Sequence, residues 1–112
     1  MAQLTQYGIP GELPAVMPPA KPLQLFANVN QLIYGGLCIL RGWSLRNSGG
    51  STDTVQILDG SDVNGMTVGW SHNATLGVDT QNFGDSGIIC RTGLFVKGTQ
   101  GNTIGAFWVI PL

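Results

Sequence analysis

The chain has 112 residues, 43% of them hydrophobic and 10% charged, and its five Lys and Arg against six Asp and Glu give a formal net charge of −1. That length suits one domain able to bury roughly two-thirds of its unfolded surface, with enough apolar residues to drive collapse. No cluster of either sign could neutralise several phosphates and no apolar run approaches the ~20 residues that span a bilayer, so neither a nucleic acid nor a membrane is expected as partner.

Residues 1–31 read as an extended arm. Pro10, Pro14, Pro18, Pro19 and Pro22 are too dense for a regular helix or a central strand. Leu4, Tyr7, Ile9, Leu13, Val16 and Met17 are interleaved with the prolines and are the candidate partner contacts, because a semi-stiff chain with apolar pegs loses little freedom when it docks in a groove. These thirty-odd residues lack the basic start and apolar centre of a secretion signal, so synthesis in a cytoplasm is expected.

Residues 32–112 read as one β-sandwich domain. Strands are predicted at 32–34, 38–45, 54–58, 66–72, 74–78, 87–91, 94–97 and 105–110, separated by Gly, Asn, Asp and Ser clusters of turn composition. Eight short strands at roughly ten-residue spacing fit an all-β, jelly-roll-like sandwich. Alternation places Ile39, Arg41, Trp43 and Leu45 on one face, so that Arg41 should lie along an aromatic surface or find an acidic partner. In the next strand Val55 and Ile57 point one way, Thr54 and Gln56 the other.

Cys38 and Cys90 would close a long loop if bridged, worth on the order of 4 kcal/mol in a chain-entropy treatment. A reducing compartment favours instead two buried free thiols acting as small hydrophobes. A surface this poor in charge and rich in Gly, Ser, Thr, Asn and Gln offers little repulsion between copies, which favours self-association.

No motif carries a catalytic or metal-binding assignment. Gly84-Asp85-Ser86-Gly87 resembles a serine-protease nucleophile loop, with His72 and Asp79 as the other side-chain types, but the three fall within fifteen residues. The same Asp85-Ser86-Gly87 resembles the retroviral aspartic-protease triplet, yet too little chain follows it to build that fold. Asp59, Asp62 and Asn64 lack the later Glu and the ligand alternation of a calcium loop. The expectation is a non-enzymatic protein without cofactor or metal. Trp43 and Trp108, flanked by aliphatics, read as core; Trp70 and His72 are the candidate surface-binding residues.

The stretch Gly36-Leu37-Cys38-Ile39-Leu40-Arg41-Gly42-Trp43-Ser44-Leu45-Arg46-Asn47, the Leu58-Asp59-Gly60 turn and Gly87-Ile88-Ile89-Cys90-Arg91-Thr92-Gly93-Leu94-Phe95-Val96 resemble small virion structural proteins of tailed bacteriophages. The resemblance spans about residues 32–110. It implies a capsid decoration protein, minor capsid protein or head fibre. Its expected partners are the major capsid protein and further copies of itself, with a trimer the favoured homo-oligomer. Its expected place is the outer capsid surface of the virion, where it would contribute to capsid stabilisation. The competing expectation is a carbohydrate- or receptor-binding module of a phage fibre or tail, built on Trp70 and His72.

Overall fold

Short segments of alternating apolar and polar residues, broken by Gly, Asn and Asp, lead to strands rather than helices. The computed structural model describes residues 19–27 and 29–112. The arm contacts expected at Leu4, Tyr7, Ile9, Leu13, Val16 and Met17 lie outside them. Among the described residues the strands are β1 (Lys21–Leu25), β2 (Asn30–Gly35), β3 (Cys38–Asn47), β4 (Asp53–Asp59), β5 (Met66–Asn73), β6 (Val78–Asn82), β7 (Ile88–Cys90), β8 (Gly93–Gly98) and β9 (Thr103–Pro111).

One sheet has the order β1-β9-β3-β6, with β7 also on β3, and the other β2-β8-β4-β5. Every pairing is antiparallel. β6 and β7 share one edge of β3, pairing with Gly42–Arg46 and Cys38–Leu40 respectively, and so fill one place in the sheet. With them counted as a single interrupted strand, the two four-strand orders are those of a jelly roll. The all-β sandwich expected from the sequence is therefore the fold.

The core lies between the sheets. Leu25, Leu40, Trp43, Leu45, Phe107 and Val109 face Val55, Ile57, Leu94 and Val96 across it. Trp43 meets Phe83 edge-on at 5.7 Å between ring centroids and tilts against Phe107 at 6.2 Å. Truncating either buried ring to Ala would cost about 3–5 kcal/mol.

Four sequence expectations are corrected. In β3 the pairing with β9 shifts register between Leu40 and Gly42, so Arg41 occupies a bulge. Cys38 and Leu40 point inward before it and Trp43 and Leu45 after it, which separates Arg41 from the face of Trp43. The reason lies at Gly42 and the strand beside it: a Cβ at Gly42 would collide with the Gln81 carbonyl oxygen, and a side-chain-free residue at that close approach is a common companion of a bulge.

Second, β1 falls inside the segment assigned to the arm. It tolerates Pro22 because among the described residues it is an edge strand, pairing on one side only, where a missing N–H can face away from the ladder. Third, residues 74–77 form a turn closed by Gly77 N–H donating to the Ala74 carbonyl at 2.7 Å, and the strand that follows is β6. Its Asp79-Thr80-Gln81-Asn82 run is polar because an edge strand presents little to a core. Fourth, Trp108 is not core: it alternates with the inward Phe107 and Val109 and is 40% exposed.

Candidate functional site

The cross-strand register of the first sheet builds a groove on its outer face. One row runs Pro22, Trp108, Gly42, Asn82 across β1, β9, β3 and β6, and the next runs Gln24, Ala106, Ser44, Thr80. Within these rows Gly42, Ser44 and Ala106 carry little or no side chain, whereas Trp108 and Asn82 carry large ones. The resulting groove encloses about 450 Å³ and is lined by Pro19, Ala20, Arg41, Thr80, Gln81, Asn82 and Trp108.

Its walls differ in chemistry. The indole of Trp108 supplies a broad apolar face, whereas β6 supplies hydroxyl and amide groups. Asn82 is held in place because its Oδ1 accepts from Gly84 N–H at 2.8 Å. Ser44 and Thr80 hydroxyls lie 3.5 Å apart.

Arg41 brings the charge. The bulge directs it toward the groove, and its side chain is 22% exposed. The acidic partner expected for it is Asp85, but Arg41 Nη2 is 3.9 Å from Asp85 Oδ1, and Asp85 is fully exposed. A solvated pair at that separation contributes little. Arg41 Nε is buried without an acceptor among the described residues, so the guanidinium is incompletely partnered.

A second surface lies on the other sheet. β5 is its outer strand, and no strand among the described residues pairs with its free edge. Met66 is 73% and Trp70 60% exposed. His72 is also exposed, its Nδ1 within 2.8 Å of the Thr54 hydroxyl. Trp70 and His72 thus share the outer face of this sheet, as register partners of Gln56 and Thr54, and neither lines the groove.

Three of the acidic residues weighed as catalytic or metal ligands, Asp79, Asp59 and Asp62, accept hydrogen bonds within the fold. Asp79 Oδ2 accepts from Trp43 Nε1 at 2.8 Å and from the Ser71 hydroxyl at 2.7 Å, joining β6 to β3 and β5. Burial raises its carboxyl pKa, but the bonds from Ser71, Trp43 and Gln81 outweigh that and hold it below the ordinary range. His72 faces away from it, and Ser86 sits in the β6–β7 turn with its N–H on the Phe83 carbonyl. The Asp59 carboxylate accepts from the N–H groups of Arg91, Thr92 and Gly93, and Asp62 Oδ1 from Asn64 N–H. Asn73, of the sequence Asn73-Ala74-Thr75, is buried and donates to Ser71.

Cys38 and Cys90 are both buried and free, directly opposite each other in the β3–β7 pairing. The contact with Cys90 draws the Cys38 thiol pKa down, and the same contact, then burial, pushes that of Cys90 far up.

Sequence reasoning missed the groove because Trp108 alternates with core residues. The available signal was Gly42, a glycine inside an otherwise apolar strand, which marks a bulge or a close approach. Comparison with family models, with curated proteins and with solved structures gave no match.

Proposed function

We propose that this chain is a non-enzymatic virion structural protein, a decoration protein that binds the major capsid protein of a tailed bacteriophage and further copies of itself, cementing the outer capsid surface. The observation that carries the reading is the β5 edge. Proteins that work alone blunt such edges with Lys, Pro or inward charges. From Met66 to Asn73 there is no Lys, Arg, Asp, Glu or Pro, and two large apolar side chains stand exposed beside the unpaired backbone. By contrast β1, at an edge of the other sheet, carries both Lys21 and Pro22.

An uncharged, apolar strand edge is a surface for another chain, by strand addition or by side-chain contact. In a closed homo-oligomer each copy contributes the same patch, and contacts that are weak singly become strong when repeated by symmetry. The N-terminal arm supplies the second attachment. Its root is fixed, since β1 is built into the sheet through Leu23 and Leu25.

The test is the solution mass of the full-length protein, and its co-sedimentation with empty phage capsids, for the native sequence, for Met66→Lys with Trp70→Lys, and for Ile9→Asp with Leu13→Asp. The reading requires a discrete oligomer, trimeric in the favoured case, that the β5 variant dissolves, and capsid binding that the arm variant weakens. A native monomer that ignores capsids would remove it.

A further inference from the structure

We propose that the groove on the outer face of the β1-β9-β3-β6 sheet is a binding site for a carboxylate-bearing saccharide. This inference is independent of the β5 edge, which lies on the other sheet.

The groove has the three components such a ligand needs. Trp108 offers an indole face on which the apolar side of a pyranose ring can lie, and an aromatic ring at a wet surface serves this use because one face is apolar and its surroundings polar. On the β6 side of the groove, Thr80 and Asn82 offer hydrogen-bonding groups for ring hydroxyls. The fixed orientation of the Asn82 amide matters here: with Oδ1 engaged by Gly84 N–H, the Nδ2 donors are the part left for a ligand. The enclosed volume, about 450 Å³, falls within the range of small-molecule sites.

Arg41 decides the class of saccharide. No Asp or Glu is among the lining residues. Among the described residues the carboxylate partner of Arg41 is Asp85, 3.9 Å away and fully exposed, a long and solvated contact. A guanidinium presents paired N–H donors that match a carboxylate, and a partly desolvated cation whose described ion pair is long and solvated favours an anionic ligand over a neutral one. The bulge is what delivers this group: without the register shift at Gly42, position 41 would not be displaced from the regular alternation of β3.

Titration of the full-length protein, followed by tryptophan fluorescence and by calorimetry, tests the site. The probes are a hyaluronan tetrasaccharide, N-acetylneuraminic acid and neutral maltotetraose. We expect saturable binding of at least one acidic probe, roughly tenfold or more weakened by Trp108→Ala, and unchanged by Trp70→Ala. Arg41→Gln should erase the preference for the acidic probe over maltotetraose. Thr80→Tyr, which fills the groove from its β6 wall while keeping both Trp108 and Arg41, should block binding, and an unchanged unfolding transition in that variant separates loss of the site from loss of the fold. No saturation by any probe up to about 10 mM overturns the proposal. So does binding that survives both Trp108→Ala and Thr80→Tyr, or equal binding of maltotetraose that Arg41→Gln leaves unaltered.

Discussion

Asp53 and Thr103 are joined twice: the Thr103 N–H donates to Asp53 Oδ2 at 3.0 Å, and the Thr103 hydroxyl donates to the same oxygen at 2.6 Å. The other oxygen, Oδ1, accepts from Thr99 N–H, the Thr99 hydroxyl and Gln100 N–H, and Asn102 N–H completes the set on Oδ2. One buried carboxylate at the start of β4 thereby organises the whole β8–β9 turn. Hydrogen bonds to a charged group contribute more than neutral ones, and removing the acceptor leaves several donors unpaired. Asp53→Ala should therefore lower unfolding stability by about 3 kcal/mol or more, read by urea denaturation. A loss below about 1 kcal/mol would show that water replaces the carboxylate without penalty.

Acid should destabilise the fold through three carboxylates. For Asp53, Asp59 and Asp79 burial acts to raise the pKa, but hydrogen bonds from the surrounding donors, with the charge of Arg91 added at Asp59, bring each below its ordinary value. A group whose pKa is lower folded than unfolded stabilises the fold above its unfolded pKa, about 3.9 for Asp. That contribution is lost as pH falls through the folded pKa. Stability should be level from about pH 5 to 7 and decline below about 4. Asp53→Asn should flatten the decline; thermal melts across this range measure both.

The β5 edge predicts a separation of assembly from folding. Met66 and Trp70 make no core contact, so replacing both with Lys should leave the unfolding midpoint nearly unchanged while shifting the mass measured by light scattering to that of one chain. A variant that loses stability as much as it loses mass would assign these side chains to the fold instead.

Leu76 adopts φ 60° at the third position of the turn from Ala74 to Gly77, a left-handed conformation that costs a non-glycine residue roughly 1–2 kcal/mol. Its side chain is exposed and offsets little of that. Leu76→Asn, which tolerates this region, should raise stability by about 1 kcal/mol. Should the same change also weaken self-association, the strained leucine is kept for contact rather than for the fold.

The two thiols should be silent in the native protein. Both sulfurs are enclosed where β7 lies on β3, and reaction requires an accessible thiolate. A thiol-specific disulfide reagent should label neither residue under native conditions and both in denaturant. Rapid native labelling of Cys90 would mean that β7 opens readily.

Much of the fold was legible from residue patterns. Val55 and Ile57 alternate cleanly with Thr54 and Gln56 and locate β4, and the clusters at 47–51 and 98–102 mark the ends of β3 and β8 and the turns that follow, one residue of each cluster still belonging to the strand. Where reading failed, a nonlocal partner decided the matter. Pro22 argues against a strand until β9 is known to hold β1 at an edge, and Asp79 to Asn82 look like loop until β3 offers a free ladder. Arg41 was placed one step out of phase because a bulge is fixed by the neighbouring strand's carbonyl at Gln81, not by the alternation itself. The groove was invisible for the same reason, since its rows exist only after β1, β9, β3 and β6 are aligned.

The pairing of Leu23 with Phe107 also sets an order of events. Among the described residues β9 is the one ladder partner of β1, and it is made long after β1. During synthesis β1 has no edge to join until β9 has left the ribosome, and contacts between such distant segments place the domain among slow-folding topologies. Seating of β1 is thus a report that β9 is in place: a chain interrupted before β9 cannot seat β1, and β1 stays uncoupled from a sandwich that lacks that strand.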